Sequence, residues 1–328
     1  MEEMTFDQKF AECKENIRSL AYKSYGRSEI NQFADVVELW AIFRKDSGVS
    51  KGDVEDNFYG ENDNTLEYDS NDEVNEGENN DRNESFVNAI FKILNDRVVL
   101  YAELYPFEIN NNILYLKKNL RNCERNYVFL LISSALDVFD KFKPILTTDF
   151  ETMSYEAFKK YLPTAKVVPF GKNSAYRGTA KTKIKRLAQD LGLPIDESEF
   201  NEIGERNNQE RGLDIVGWIP FDDKCQNKMV FLCQCACGKS YEYKQHDTRR
   251  FEHYYRFYRT KPQHTLFIPR ALINIDNQKF FHSDYIENDY LVFERKRIVS
   301  LLKDDDVIDS LSSKELVEKC LADISENY

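Results

Sequence analysis

The 328-residue chain has no run of about eighteen uncharged apolar residues, the length that a membrane-spanning helix needs. A soluble protein is expected. The opening residues, MEEMTFDQKFAECKE, are acidic and helical in pattern rather than basic and then apolar, so no secretory signal is expected and the predicted location is cytoplasmic. A glycine-rich phosphate loop is missing as well: GKNSAYRG lacks the GK-[ST] arrangement, which excludes a P-loop ATPase. Nothing local pairs Cys with His as a cysteine protease requires, and no internal repeat is visible. The seven cysteines are odd in number, and Cys13, Cys123 and Cys320 lie far apart inside helix-like patterns, a poor basis for disulfides. A reducing compartment follows.

What is present is ample core material, 41% hydrophobic and 13% aromatic, enough for one large domain or two ordinary ones. The net charge of −12 argues against a nucleic-acid partner only at first sight, because ten acidic residues and one arginine fall between Gly60 and Ser85. Elsewhere the balance is near neutral. Six basic residues and no acidic one lie between Lys172 and Gln189, among them Lys181, Lys183 and Lys185, and a second basic cluster holds Arg249, Arg250 and Arg256. Such clusters can follow a phosphate backbone, or can simply be solvated helix faces.

Residues 1–59 carry helical spacing, for example Phe6, Phe10, Cys13, Ile17 and Leu20. Residues 60–85, rich in Asn, Asp and Glu, bury too little apolar surface to offset their ordering entropy and are expected to form a flexible linker or insertion. Residues 86–146 are mainly helical, with FEINNNILYLKK strand-like between two helices. From 147 to 302 the pattern mixes types: a helix in ETMSYEAFKKYL, a strand in AKVVPF, and a helix up to Gly192 and Pro194 with its lysines opposite an apolar face. Two further strands follow, then an aromatic and basic helix TRRFEHYYRFYR, a strand HTLFIPRALI and a last strand YLVFERKRIVSLL. Residues 303–328 end in a helix, with Ser312 and Glu315 at capping-box spacing. The predicted class is α/β (α+β), a mixed central sheet flanked by helices behind a mainly helical N-terminal region.

The chemistry concentrates in LDIVGWIPFDDKCQNKMVFLCQCACGKSYEYK, from Leu213 to Lys244. Asp214 sits one residue into an apolar strand, where an unpaired charge is costly, so it must pair or hold a cation. On the next strand alternation separates Leu232, Gln234 and Ala236 from Phe231, Cys233, Cys235 and Cys237. Asp214, Gln234 and Lys239 supply a carboxylate, an amide oxygen and an ammonium, the groups that metal-dependent phosphodiester cleavage uses.

The order helix, strand with Asp, strand with an acid or amide, lysine, helix, strand resembles the PD-(D/E)XK restriction-endonuclease-like nuclease superfamily. GLDIVGWIPF followed by VFLCQCACGK is similar to members among bacterial anti-phage genes. The resemblance covers about 147–302. It implies a restriction-endonuclease-like sheet, dependence on Mg2+ or Mn2+, cleavage of DNA, with RNA as the alternative, and a protein partner such as an ATPase or sensor subunit. By position it makes Asp214 and Gln234 the metal ligands. The slot where the superfamily has lysine is Ala236, so either Lys239 or Lys244 takes that place or the site is inactive. The superfamily also draws an acid from the preceding helix. The segment from Ser174 to Leu191 offers only Asp190, with Glu202, Glu205 and Glu210 as alternatives and Glu205 or Glu210 favoured.

Zinc is the rival ligand for this stretch, through Cys233, Cys235 and Cys237 with His246 and Cys225. Three thiols at alternate strand positions stand about 7 Å apart and do not share one ion. The expected function is therefore a metal-dependent endonuclease, with an inactive DNA-binding or scaffold subunit and a zinc-stapled interaction module as alternatives. TRRFEHYYRFYR either faces nucleic acid or packs its aromatic stripe on the sheet. Glu294 and Arg295 are expected to pair near the sheet edge.

Overall fold

Apolar residues at helical spacing become α1 (Phe6–Arg18) and α2 (Ile30–Phe43), and Phe10, Cys13 and Ile17 of α1 are buried. The structure, a computed structural model, describes residues 4–18, 30–59, 76–204, 212–221, 223 and 225–322. A short strand β1 (Val49–Ser50) leads into α3 (Lys51–Tyr59), and α4 spans Glu76–Tyr101. The expected linker at 60–85 is thus helical from Glu76 onward, and its remainder lies outside the described residues. FEINNNILYLKK folds as two strands, β2 (Phe107–Asn110) and β3 (Ile113–Leu116). Asn111 and Asn112 turn the chain at φ 53° and 59°, a left-handed pair that asparagine tolerates and that two-residue hairpins require. α5 (Asn122–Ser134) and α6 (Lys143–Tyr161) complete this half, with Pro144 preset in the first turn of α6.

The second half begins with β4 (Lys166–Pro169), α7 (Ala180–Leu191) and α8 (Glu197–Asn201). Thr179 caps α7, and Gly192 ends it in the left-handed conformation (φ 67°), as the Gly192 and Pro194 pair predicts. β5 (Ile215–Trp218), β6 (Val230–Cys235), α9 (Tyr241–Lys244), α10 (Phe251–Tyr254) and β7 (Gln263–Phe267) follow. The chain then forms a small hairpin of β8 (Ile273–Asn274) and β9 (Lys279–Phe280), then β10 (Leu291–Phe293), α11 (Arg295–Leu301) and α12 (Lys314–Ala322). Five strands make a mixed sheet in the order β10-β7-β6-β5-β4, parallel from β10 to β6 and antiparallel from β6 to β4. Helices cover both faces. Phe158 of α6 meets Phe231, Phe267 and Phe293 on one face, while α7, α8 and α10 bury Val216, Trp218, Val230 and Leu232 on the other. Among the described residues no helix is long and apolar enough to cross a membrane.

Three sequence expectations change. TRRFEHYYRFYR is a 3-10 turn over Gln245–Arg250 and the single turn of α10, after which Tyr255 is extended and bridges to Ile195. Its aromatics Phe251, Tyr254 and Tyr255 are buried against α7 and the sheet. YLVFERKRIVSLL is a three-residue strand and then a helix, because the Glu294 side chain accepts from Arg297 N and caps α11. α12 starts at Lys314, so its first-turn boundary falls one residue beyond the Ser312 cap.

Arg295 follows the edge strand β10, as expected, but is fully buried there. Its guanidinium donates to both oxygens of Asp35 (3.0 and 2.9 Å), to Tyr127 Oη (3.2 Å), to Ser134 Oγ (3.1 Å) and, through Nε, to Pro269 O (2.8 Å). Arg97 of α4 pairs with Asp35 and Glu38 at 2.8 and 2.7 Å. Two carboxylates from α2 thus balance two guanidiniums from α4 and α11, which binds the N-terminal helices to the end of β10. One apolar cluster runs from Phe10 through α6 and the sheet to Cys320.

Candidate functional site

The register between β5 and β6 pairs Ile215 with Cys233, and one step further brings Asp214 opposite Gln234. Gln234 Nε2 donates to Asp214 Oδ2 at 2.8 Å, and Cys235 N donates to the same oxygen at 2.7 Å. The main chain holds Asp214 just as firmly. Its carbonyl accepts from Phe170 N (2.7 Å) and Gly171 N (2.9 Å) at the end of β4, and its own N–H donates to Cys233 O (2.9 Å). Asp214 is therefore fixed where the ends of β4, β5 and β6 meet.

Gly171 shows what else meets there. A Cβ at this position would stand 2.8 Å from Asp214 Oδ1 and 2.9 Å from Glu151 Oε2, so carboxylates from β5 and α6 share the space that the missing side chain leaves. Lys172 N donates to Glu151 Oε2 at 3.1 Å, and Lys172 Nζ to Thr147 Oγ1 at 2.9 Å, one turn earlier in α6. Gln234 is 4% exposed, and its Oε1 accepts no hydrogen bond among the described residues. A buried amide oxygen normally has a donor or a cation. The two carboxylates beside Gly171 are hard oxygen donors of the kind that suits Mg2+ or Mn2+, and Gln234 holds one of them through its Nε2.

Three buried or half-buried thiols lie next to the same carboxylates. Cys233, Cys235 and Cys237 are pushed well above the ordinary thiol range, first by burial. Asp214 and Glu151 push Cys235 and Cys237 higher still, which marks both carboxylates as close neighbours of these sulfurs. With no metal bound, a thiol kept protonated packs as a small apolar side chain. Among the described residues no three His, Cys, Asp or Glu side chains are grouped to hold a metal ion, so a cation here would need oxygens beyond the two carboxylates.

The structure places one of the expected lysines on another carboxylate and adds an acid that the sequence did not single out. Lys239 Nζ pairs with Asp137 Oδ2 at 2.8 Å, beyond the end of α5. Lys244 closes α9 and is exposed, one turn before Asp247, whose side chain lies against Gly212. Glu205 and Glu210 lie outside the described residues. The acid that does reach Asp214 is Glu151, from a helix before β4. Its sequence signal was an acidic residue inside ETMSYEAFKKYL, on a helix whose other residues Met153, Ser154, Ala157 and Phe158 are buried. α7 is not that helix, because it lies between β4 and β5 in the chain.

The basic clusters also differ from an open cationic track. Lys183 is buried in α7, which takes it off the solvent face. Lys181 and Lys185 stand over the Phe200 ring at 5.6 and 5.1 Å. Arg249 pairs with Asp289 (2.8 Å), Arg250 with Asp247 (3.3 Å) and Arg256 with Asp196 (3.1 Å). Comparison of the chain with protein-family models, with curated proteins and with solved structures finds no match in any of the three.

Proposed function

We propose that the chain is a Mg2+- or Mn2+-dependent nuclease that hydrolyses phosphodiester bonds of DNA at the meeting point of Glu151, Asp214 and Gln234. The observation that carries this reading is the pair of carboxylates around Gly171, one of them held by Gln234, whose own Oε1 is buried without a partner among the described residues. The order α7, α8, β5 beside Asp214, β6 with Gln234, the helical stretch 241–254 and β7 supports it, since helix, strand, strand, helix and strand is the order the nuclease resemblance implies. When bound, the cation would lower the pKa of a coordinated water and offset charge on the scissile phosphate. The chain's own part is positional. Cys235 N–H and Gln234 Nε2 fix Asp214 Oδ2, and Lys172 N–H fixes Glu151, so the carboxylate oxygens beside Gly171 are oriented before anything binds. A role as an anti-phage effector beside an ATPase or sensor subunit belongs to the same proposal and rests on the resemblance alone.

A second reading, an inactive nuclease-fold subunit that binds DNA or serves as a scaffold, is favoured by one feature. Ala236 stands in the lysine slot, and it is buried. Supercoiled plasmid and single-stranded DNA, each incubated with Mg2+ or Mn2+, separate the two. The nuclease reading expects cleavage by the wild type and none by Asp214→Ala. Cleavage that survives the substitution contradicts the site, and binding without cleavage supports the second reading.

A further inference from the structure

We propose that a cleft on the helical half of the chain docks an acidic segment of a partner protein, which sets an aliphatic side chain against a leucine lining and its carboxylates on the lysines around it. The cleft has a volume of about 490 Å3 and lies between the turn after α2, the end of β3, the start of α5 and the end of α12. Leu116, Leu120 and Leu321 supply its apolar lining, and Leu120 and Leu321 are only half-buried. Lys45, Lys117, Lys118 and Arg125 line it against a single acid, Asp46. None of these elements contributes to the site at Asp214, so the surface stands whether or not the chain cleaves DNA.

The local charge runs against that of the chain, which carries a formal net charge of −12. An acidic peptide is therefore repelled by much of the surface and drawn to this part of it. Two of the cations are already set in direction. Lys117 Nζ donates to Tyr105 O (2.6 Å) and Glu124 Oε1 (2.8 Å), and Arg125 is shared by Asp306, Asp309 and Glu318 at 3.7, 3.6 and 3.4 Å. Lys118 is exposed and makes no hydrogen bond or ion pair among the described residues. α5 adds the positive end of its dipole, since its first turn begins at Asn122, between Leu120 and Arg125. The shape of the cleft favours a peptide over other polyanions. No aromatic ring lines it for a nucleobase to stack on, and a concave pocket of this size takes a side chain, not the flat face of a bilayer.

Fluorescence anisotropy on the full chain tests this with a fluorescein-labelled peptide of aspartates and glutamates around a central pair of leucines. Two control peptides carry asparagine and glutamine in place of the acids, or alanine in place of the leucines. The wild type should bind the acidic peptide saturably and lose at least about tenfold in affinity with either control. Lys45→Glu combined with Lys118→Glu should lose at least about tenfold as well. Lys118→Glu alone, at an exposed position, should lose about threefold or more and decides the matter should the double variant not fold, while Lys118→Arg should bind like wild type. Absence of binding by the wild type, equal affinity for the uncharged peptide, or folded Lys118→Glu binding like wild type overturns the proposal. So does tighter binding, lost with the same lysines, of a single-stranded oligonucleotide or of phosphatidylserine vesicles, which would make the cleft a nucleic-acid or a membrane surface.

Discussion

Replacing Gln234 by glutamate puts a second carboxylate where Gln234 Nε2 now donates to Asp214 Oδ2 at 2.8 Å. Without a cation the change is destabilising on two counts. A hydrogen bond to an ionised group contributes roughly 1.5–3 kcal/mol, and two like charges at that spacing repel by about 6 kcal/mol at an effective dielectric constant near 20. Proton uptake relieves most of the repulsion, so the pair titrates in two coupled steps, one of them raised above the ordinary carboxylate range. The sign then follows. A folded-state pKa raised above its unfolded value leaves the variant closest to wild type in acid, and the deficit grows as pH rises through the raised value. Near neutral pH the loss should be roughly 2–4 kcal/mol. Saturating Mn2+ should reverse the order of response, because a carboxylate binds a hard cation more tightly than an amide oxygen does. Tenfold tighter binding adds about 1.4 kcal/mol of stabilisation, or roughly 2 °C in the melting temperature of a chain this long. Calorimetric melting of both proteins with and without MnCl2 measures the difference. Equal Mn2+ shifts in the two proteins would refute a cation at Gln234.

Other parts of the account are open to similar tests. Arg295→Met removes one guanidinium from a fully buried quartet and leaves Asp35 and Glu38 with Arg97, so guanidinium chloride unfolding should show a loss of about 3–5 kcal/mol. Burial pushes the Asp35 carboxyl up, but Arg295 and Arg97 outweigh it and hold it below its ordinary value. Its contribution is therefore present above the ordinary carboxylate pKa of 3.8 and lost as pH falls through the depressed value, and an acid titration of stability should be shallower in Arg295→Met. Gly217→Ala sets a Cβ 2.7 Å from Phe158 Cε1 under the sheet and should cost roughly 1–3 kcal/mol by the same unfolding measurement.

The local parts of the fold were legible because they follow short-range rules. Alternation along LDIVGW and VFLCQC put Asp214 and Gln234 on identifiable strand faces, and the observed register sets them opposite each other. The helix ending at Gly192 followed from its spacing and its end signal, although it begins at Ala180 and not at Ser174 as the pattern suggested. Glu151 was not legible, since α7 and α8 intervene between β4 and β5 and moved attention to acids nearer Asp214 in sequence. The helix after Phe293 was hidden for a different reason. FERKRIVSLL has the apolar content of a strand, and only the folded chain shows Glu294 as a cap and Arg295 as the partner of Asp35, 260 residues earlier. The surroundings of the basic clusters were illegible in a third way, because sequence density does not reveal that Arg249, Arg250 and Arg256 each have an acidic partner close by.

The most direct test of the central claim is the single-turnover cleavage rate of DNA in saturating Mg2+ or Mn2+ for wild type and Glu151→Gln, a substitution that keeps size and the hydrogen bond from Lys172 N but removes the charge. The account predicts cleavage by the wild type and a rate lower by about 100-fold or more in the variant. A variant that cleaves within about threefold of wild type, well short of that loss, would contradict it, as would a wild type that cleaves no DNA with either metal.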